Sequence, residues 1–147
     1  MLSIMQPLAA LERASAGYAE RLAAAFDPGF DQPPFEAWQA SSAVQIAAFG
    51  SPDALDRSVR HPAHDMSGRL FLGLRIGDLV LHGWDLARST GGDESLDEDL
   101  VQLVWETYQP ILEAAGKRGT FGNGASGQVP ADAPLGLRLL DLSGRRP

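Results

Sequence analysis

The chain has no cysteine. That excludes a disulfide framework, a thiolate metal site and a cysteine nucleophile. Only one of its twelve basic residues is a lysine, Lys117, and the arginines are scattered through a chain of net charge −7. A nucleic-acid binder needs a clustered cationic patch to neutralise phosphates, and the nearest approach is Arg145-Arg146 at the end of the sequence. Long apolar runs are missing too: none approaches the ~18–20 residues that span a bilayer. The segment Met1–Pro7 has neither the basic start nor the apolar stretch of an export signal. The expectation is a cytoplasmic protein that binds neither nucleic acid nor membrane.

What is present is ordinary globular material. The 147 residues are 44% hydrophobic and 21% charged, enough for one domain, residues 1–147, with a real core. Four long helical patterns stand out, with no comparable strand pattern. In the first, Leu8, Leu11, Ser15, Tyr18, Leu22 and Phe26 recur at spacings of three and four, and Asp27-Pro28-Gly29 stops the run. The second opens at Pro33-Pro34, carries Phe35, Trp38, Ser42, Ile46 and Phe49 on one side, and ends at Gly50-Ser51-Pro52.

Residues 51–68 read as an irregular crossover, with a short extended piece around Ser58-Val59-Arg60. A third helix is expected from about Arg69 to Ser89, closed by Gly91-Gly92. The fourth starts at a capping-box signature, Ser95-Leu96-Asp97-Glu98, and runs to Gly116 with a kink expected at Pro110. After the glycine-rich stretch Gly119–Gly127, a short final helix is expected around Ala133–Leu142. The glycines have the density of a phosphate-binding loop but lack its strand-loop-helix setting, which argues against a nucleotide role. The fold class is all-α, a helical bundle.

The third helix carries the functional information. It is apolar nearly all round, apart from a narrow arc of Arg75, Asp78, His82 and Asp85. Such a helix is expected at the centre of its bundle. Asp78 and His82 stand at i and i+4, so both lie over one patch of surface, where an oxygen and an imidazole nitrogen can meet a single divalent ion. Asp85 is placed to hold the second nitrogen of the imidazole. The competing reading is an internal ion-pair network, Arg75 with Asp78 and His82 with Asp85. His61 and His64, beside Asp65, are loop histidines by composition and candidates for a further ligand. Trp84 and Trp105 read as core anchors.

At this helix a family resemblance emerges. Residues Phe71–Arg88, with Gly77-Asp78 and His82-Gly83-Trp84-Asp85 at their centre, resemble the signature of the mycothiol-dependent maleylpyruvate isomerase-like family, within the DinB-like superfamily. Ala54-Leu55-Asp56-Arg57, Val129–Pro134, Arg138-Leu139-Leu140 and Gly144-Arg145 resemble further parts of the same pattern. The resemblance implies a four-helix bundle holding a divalent metal, usually zinc or nickel, with Asp78 and His82 as two of three ligands. It also implies metal-assisted, thiol-dependent isomerase or transferase chemistry, with mycothiol as the thiol. The family's third ligand is a histidine near the end of the first helix, and here no histidine precedes His61. His61, His64, a carboxylate or a second subunit must replace it, or the site is incomplete and the chain is a non-catalytic member serving as a binding or interaction module. The resemblance also implies a longer N-terminal part than the one read here, so an N-terminally shortened member is expected. A first helix that covers its neighbours only in part predicts a homodimer along the first two helices.

Overall fold

The computed structural model describes residues 5–25, 34–62, 64–119 and 124–147. They form five helices and one small hairpin, in the order α1 (Met5–Ala25), α2 (Pro34–Gly50), β1 (Ser58–Val59), β2 (Met66–Ser67), α3 (Gly68–Thr90), α4 (Glu98–Lys117) and α5 (Leu135–Leu142). The all-α expectation therefore holds. Among the described residues no helix is long and apolar enough to cross a membrane. The residues group into two compact units, Met1–Ser95 and Leu96–Pro147.

In the first unit the direction of each helix follows from its cross-contacts. A side chain at Gly50 would touch Leu8, and the Tyr18 and Trp38 rings meet with centroids 4.5 Å apart, so α1 and α2 are antiparallel. Phe49 meets Phe71 at 5.8 Å near the start of α3, and Gly83 near its end lies against Tyr18 and Arg21. Helices α1 and α3 thus run the same way. Leu11, Ala14 and Leu22 of α1 and Leu72, Ile76, Leu79 and Val80 of α3 are buried in the core. The stop expected at Asp27-Pro28-Gly29 lies outside the described residues, as does Pro33.

The crossover is more regular than its composition suggests. After the bend at Ser51–Arg57, β1 and β2 pair antiparallel, Ser58 with Ser67 and Val59 with Met66. The Ser67 hydroxyl accepts the amide of Leu70 and caps α3, so the helix starts at Gly68 rather than Arg69. Gly68 donates to Arg57 O at 2.9 Å, and a β-carbon built on it would lie 2.0 Å from the carbonyl oxygen of Ala54. Only glycine allows that approach. At the other end Gly91 takes the left-handed conformation (φ 68°) and Gly92 donates to Ala87 O, closing the helix where expected.

In the second unit the cap of α4 is Asp97, not Ser95. The Asp97 carboxylate accepts the amides of Asp99 and Leu100, whereas Ser95 donates both its amide and its hydroxyl to Asp93. Helix α4 is continuous through Pro110. Helix α5 starts at Leu135, two residues later than expected, because Pro130–Ala133 make a turn first. Leu139 and Leu140 are buried, and the Arg138 guanidinium lies 4.5 Å from the centre of the Trp105 ring. Residues 120–123 of the glycine-rich stretch lie outside the described residues. From its far end, Ser126 donates its amide to both oxygens of Asp141, at 3.0 and 3.1 Å. An internal carboxylate therefore occupies that amide.

Candidate functional site

Arg75, Asp78, His82, Asp85 and Arg88 follow one another along α3 at spacings of three or four, so their side chains form one stripe. The stripe is anchored at both ends. Arg75 Nε donates to Gln45 Oε1 of α2 at 3.1 Å, and its guanidinium lies 5.7 Å from the centre of the Trp38 ring. Arg88 donates to Glu94 at 2.8 Å and lies over the ring of buried Trp84.

Between the anchors the charges pair along the helix. Arg75 Nη1 and Asp78 Oδ2 are 3.9 Å apart, and His82 Nδ1 and Asp85 Oδ2 are 3.1 Å apart. Both pairs anticipated for an internal network exist, but they are not internal. The side chain of His82 is 62% exposed, and those of Asp78 and Asp85 are 44% and 40% exposed. The expectation of a charged arc buried at a bundle centre is therefore corrected. Leu79, Val80, Leu81, Gly83 and Trp84 are buried, while the arc opens toward solvent. Coverage of a helix depends on what packs over it, which its own periodicity does not encode.

The His82–Asp85 contact fixes more than a charge. With the proton on Nδ1, the imidazole donates to the carboxylate and the lone pair sits on Nε2. This is the orientation in which histidines bind metal ions, held by a carboxylate behind the ring. Asp78, one turn away on the same stripe, adds a hard oxygen donor.

Neither loop histidine joins this pair. The His61 ring rests 6.1 Å from the ring of Phe71, and Phe71 precedes Asp78 by seven residues, about 10 Å along the helix axis. His64 lies next to Asp65, just before β2, at the same end of α3, and is exposed. Among the described residues no three His, Asp or Glu side chains gather as a metal-binding group. The donor set fits a two-point attachment in which water fills the other positions of an ion; it does not fit a closed tetrahedral site.

The approach of Arg75 to α2 was missing from the sequence-based expectation, because no local spacing relates Arg75 to Gln45 and Trp38. Asp93 was missing too. Its carboxyl is held below its ordinary value by the Ser95 amide, then by the Ser95 hydroxyl, with a smaller contribution from the Arg21 charge. Arg21 itself reaches from α1 to the carbonyl oxygens of Asp93 and Ser95 and ties that loop down.

No family model matches the chain, and no solved structure matches it. Two Mycobacterium tuberculosis relatives do: uncharacterized protein MT0763 of strain CDC 1551 / Oshkosh and uncharacterized protein Rv0738 of strain ATCC 25618 / H37Rv. Each is 38% identical over 65 residues, which make up 44% of this chain. The matched span is 36% of either relative's length, so the likeness covers a part of those proteins and not the whole of them.

Proposed function

We propose that the chain is a divalent-metal-binding protein of the DinB-like, maleylpyruvate isomerase-like kind, a four-helix bundle whose own ligands are Asp78 and His82. The observation that carries this reading is the 3.1 Å contact between His82 Nδ1 and Asp85, which presents Nε2 on the same stripe as the Asp78 carboxylate. Zinc or nickel suits an oxygen-plus-imidazole pair. Such an ion supplies Lewis acidity, lowering the pKa of a thiol or water bound to it, the chemistry a mycothiol-dependent isomerase or transferase requires. The residues around it hold the imidazole tautomer (Asp85) and balance the carboxylate (Arg75).

A second reading rests on a specific observation. Asp78 and His82 each have a charged partner on their own helix, and His61 and His64 stand at its far end. This describes a non-catalytic member of the same kind, acting as a binding or interaction module. A homodimer along α1 and α2 belongs to either reading. It is supported by α2, which has Glu36 as its one charged residue and leaves Val44 71% exposed.

Calorimetry with Zn²⁺ and Ni²⁺ on untagged protein separates the two. Modest affinity is expected for the wild type, weakening in acid because an imidazolium has no lone pair to give. Asp78→Ala and His82→Ala should each lose most of it. Equal heats from all three proteins would defeat the metal assignment. Light scattering on the same samples reads the assembly, a mass twice the 15.7 kDa of one chain being expected.

A further inference from the structure

Arg75 touches two helices at once. On the α2 side its Nε donates to Gln45 Oε1 at 3.1 Å, and its guanidinium lies 5.7 Å from the centre of the Trp38 ring, within cation–π range. Trp38 and Gln45 are seven residues apart, about two turns, so they stand on one face of α2. On its own helix Arg75 Nη1 faces the Asp78 carboxylate at 3.9 Å. That distance is beyond the ~2.7–3.2 Å of a hydrogen bond, whereas the Gln45 contact lies within it. The side chain is 29% exposed, against 44% for Asp78, so the cation is the better covered of the pair.

The two sets of contacts pull against each other. A guanidinium drawn up to Asp78 stretches its hold on Gln45 and Trp38, and one held on α2 stands back from the carboxylate. The second arrangement is the one found here. Asp78 has a further interaction besides this pair, so Arg75 adjusts its charge balance without setting it alone.

We propose that Arg75 couples the occupancy of the Asp78–His82 site to α2: it competes with a divalent cation for the Asp78 carboxylate, and Gln45 and Trp38 favour the cation by holding Arg75 back. The proposal rests on the metal reading of that site and adds a regulating residue that supplies no ligand to it. Coupling between two sites is reciprocal, so contacts that tie Arg75 to α2 raise cation affinity, and a bound cation ties Arg75 more firmly to α2. Replacements at the two ends of the Arg75–Gln45 bond therefore act with opposite sign. Loss of the guanidinium charge tightens cation binding. Loss of the Gln45 acceptor lets Arg75 approach Asp78 and weakens it. One unit charge acting over ~4 Å at a solvated surface changes an affinity about fivefold.

The test is calorimetric titration of the full, untagged chain with Zn²⁺ at low salt, with circular dichroism checking that each variant is folded. Arg75→Gln should bind about fivefold more tightly than the wild type, and the gain should shrink in high salt. Arg75→Lys, which keeps the charge, should stay near the wild type. Gln45→Ala, which removes no charge and lies on a helix that supplies no ligand, should bind about threefold more weakly, part of the worth of one charge-assisted hydrogen bond. In ¹⁵N-labelled protein the Trp38 indole N–H signal, the one of three lost in Trp38→Phe, should shift with Zn²⁺ in the wild type and not in Arg75→Gln. Zinc binding that is unchanged or weaker in folded Arg75→Gln, or unchanged or tighter in folded Gln45→Ala, would overturn the coupling and leave the metal reading standing. A wild type that binds no Zn²⁺, or that binds it as well without Asp78 or His82, would overturn both.

Discussion

Asp141 offers a direct test of how the second unit is held together. The residue is 5% exposed, on a helix whose other residues are apolar apart from Arg138. It accepts the Ser126 amide with both oxygens and the Arg146 Nη1 at 3.3 Å, while Arg146 Nη2 donates to Gly124 O at 3.1 Å. One acid therefore ties the end of the glycine-rich loop and the C-terminal segment to α5. In Asp141→Ala the charge-assisted amide bond is lost, a cost of about 1.5–3 kcal/mol. The Arg146 side chain is 52% exposed, so that ion pair adds about 0.5 kcal/mol or less after screening. Alanine's better helix propensity returns about 0.5 kcal/mol. The net loss is about 2 kcal/mol, which at a slope of about 2 kcal/mol per molar urea lowers the unfolding midpoint by about 1 M. Asp141→Asn keeps one acceptor oxygen and should lose about half as much. An unchanged midpoint in Asp141→Ala would show that the loop is held by something else, and the reasoning would fail.

Two further outcomes follow from single positions in the first unit. Gly68→Ala places a methyl group 2.0 Å from the Ala54 carbonyl oxygen, a backbone atom that cannot rotate away. A loss of about 3 kcal/mol or more is expected in thermal unfolding, and wild-type stability would contradict the tight junction. Asp93 is held ionised below its ordinary value, so its contribution to folding is complete above that value and fades as pH falls through the lower one. Ser95→Ala should bring the carboxyl NMR titration part of the way back up, the backbone bond remaining; an unmoved titration would remove the Ser95 hydroxyl as a cause.

What the sequence disclosed depended on how local the responsible interaction is. The end of α3 was readable because Gly91-Gly92 supplies the left-handed turn by itself. Its start was read one residue late, because the Ser67 hydroxyl had to be recognised as a cap inside a crossover. The start of α4 was misassigned for a related reason. Ser95 and Asp97 both have capping side chains, and the choice fell to Asp97 once Asp93 had claimed the Ser95 hydroxyl. The Asp141 lock left a signal that could have been used, a lone acid in the apolar run Leu135–Leu142 beside a glycine-rich loop. Of the candidate site, the stripe and both of its ion pairs were legible from spacings of three and four. Its exposure, and the reach of Arg75 to Gln45 and Trp38, belong to contacts between distant segments and leave no local trace.

Exposure also decides how the two readings of Asp78 and His82 relate. Had these charges been deeply buried, their ion pairs would have been strongly coupled, and an incoming cation would have had to break them at a cost of several kcal/mol. At 44% and 62% exposure the pairs are surface interactions, worth about 0–1 kcal/mol each. The 3.9 Å separation of Arg75 and Asp78 is weak even by that standard. In the metal-binding reading, giving up the Arg75 pair would cost Asp78 little, whereas His82 would not leave Asp85 at all, because the opposite ring nitrogen would face the ion. The same exposure would limit the affinity in that reading, since water would compete for every coordination position that Asp78 and His82 do not fill. The arrangement thus favours an exchangeable ion over a permanently held one, and strong binding would require a further donor from outside α3.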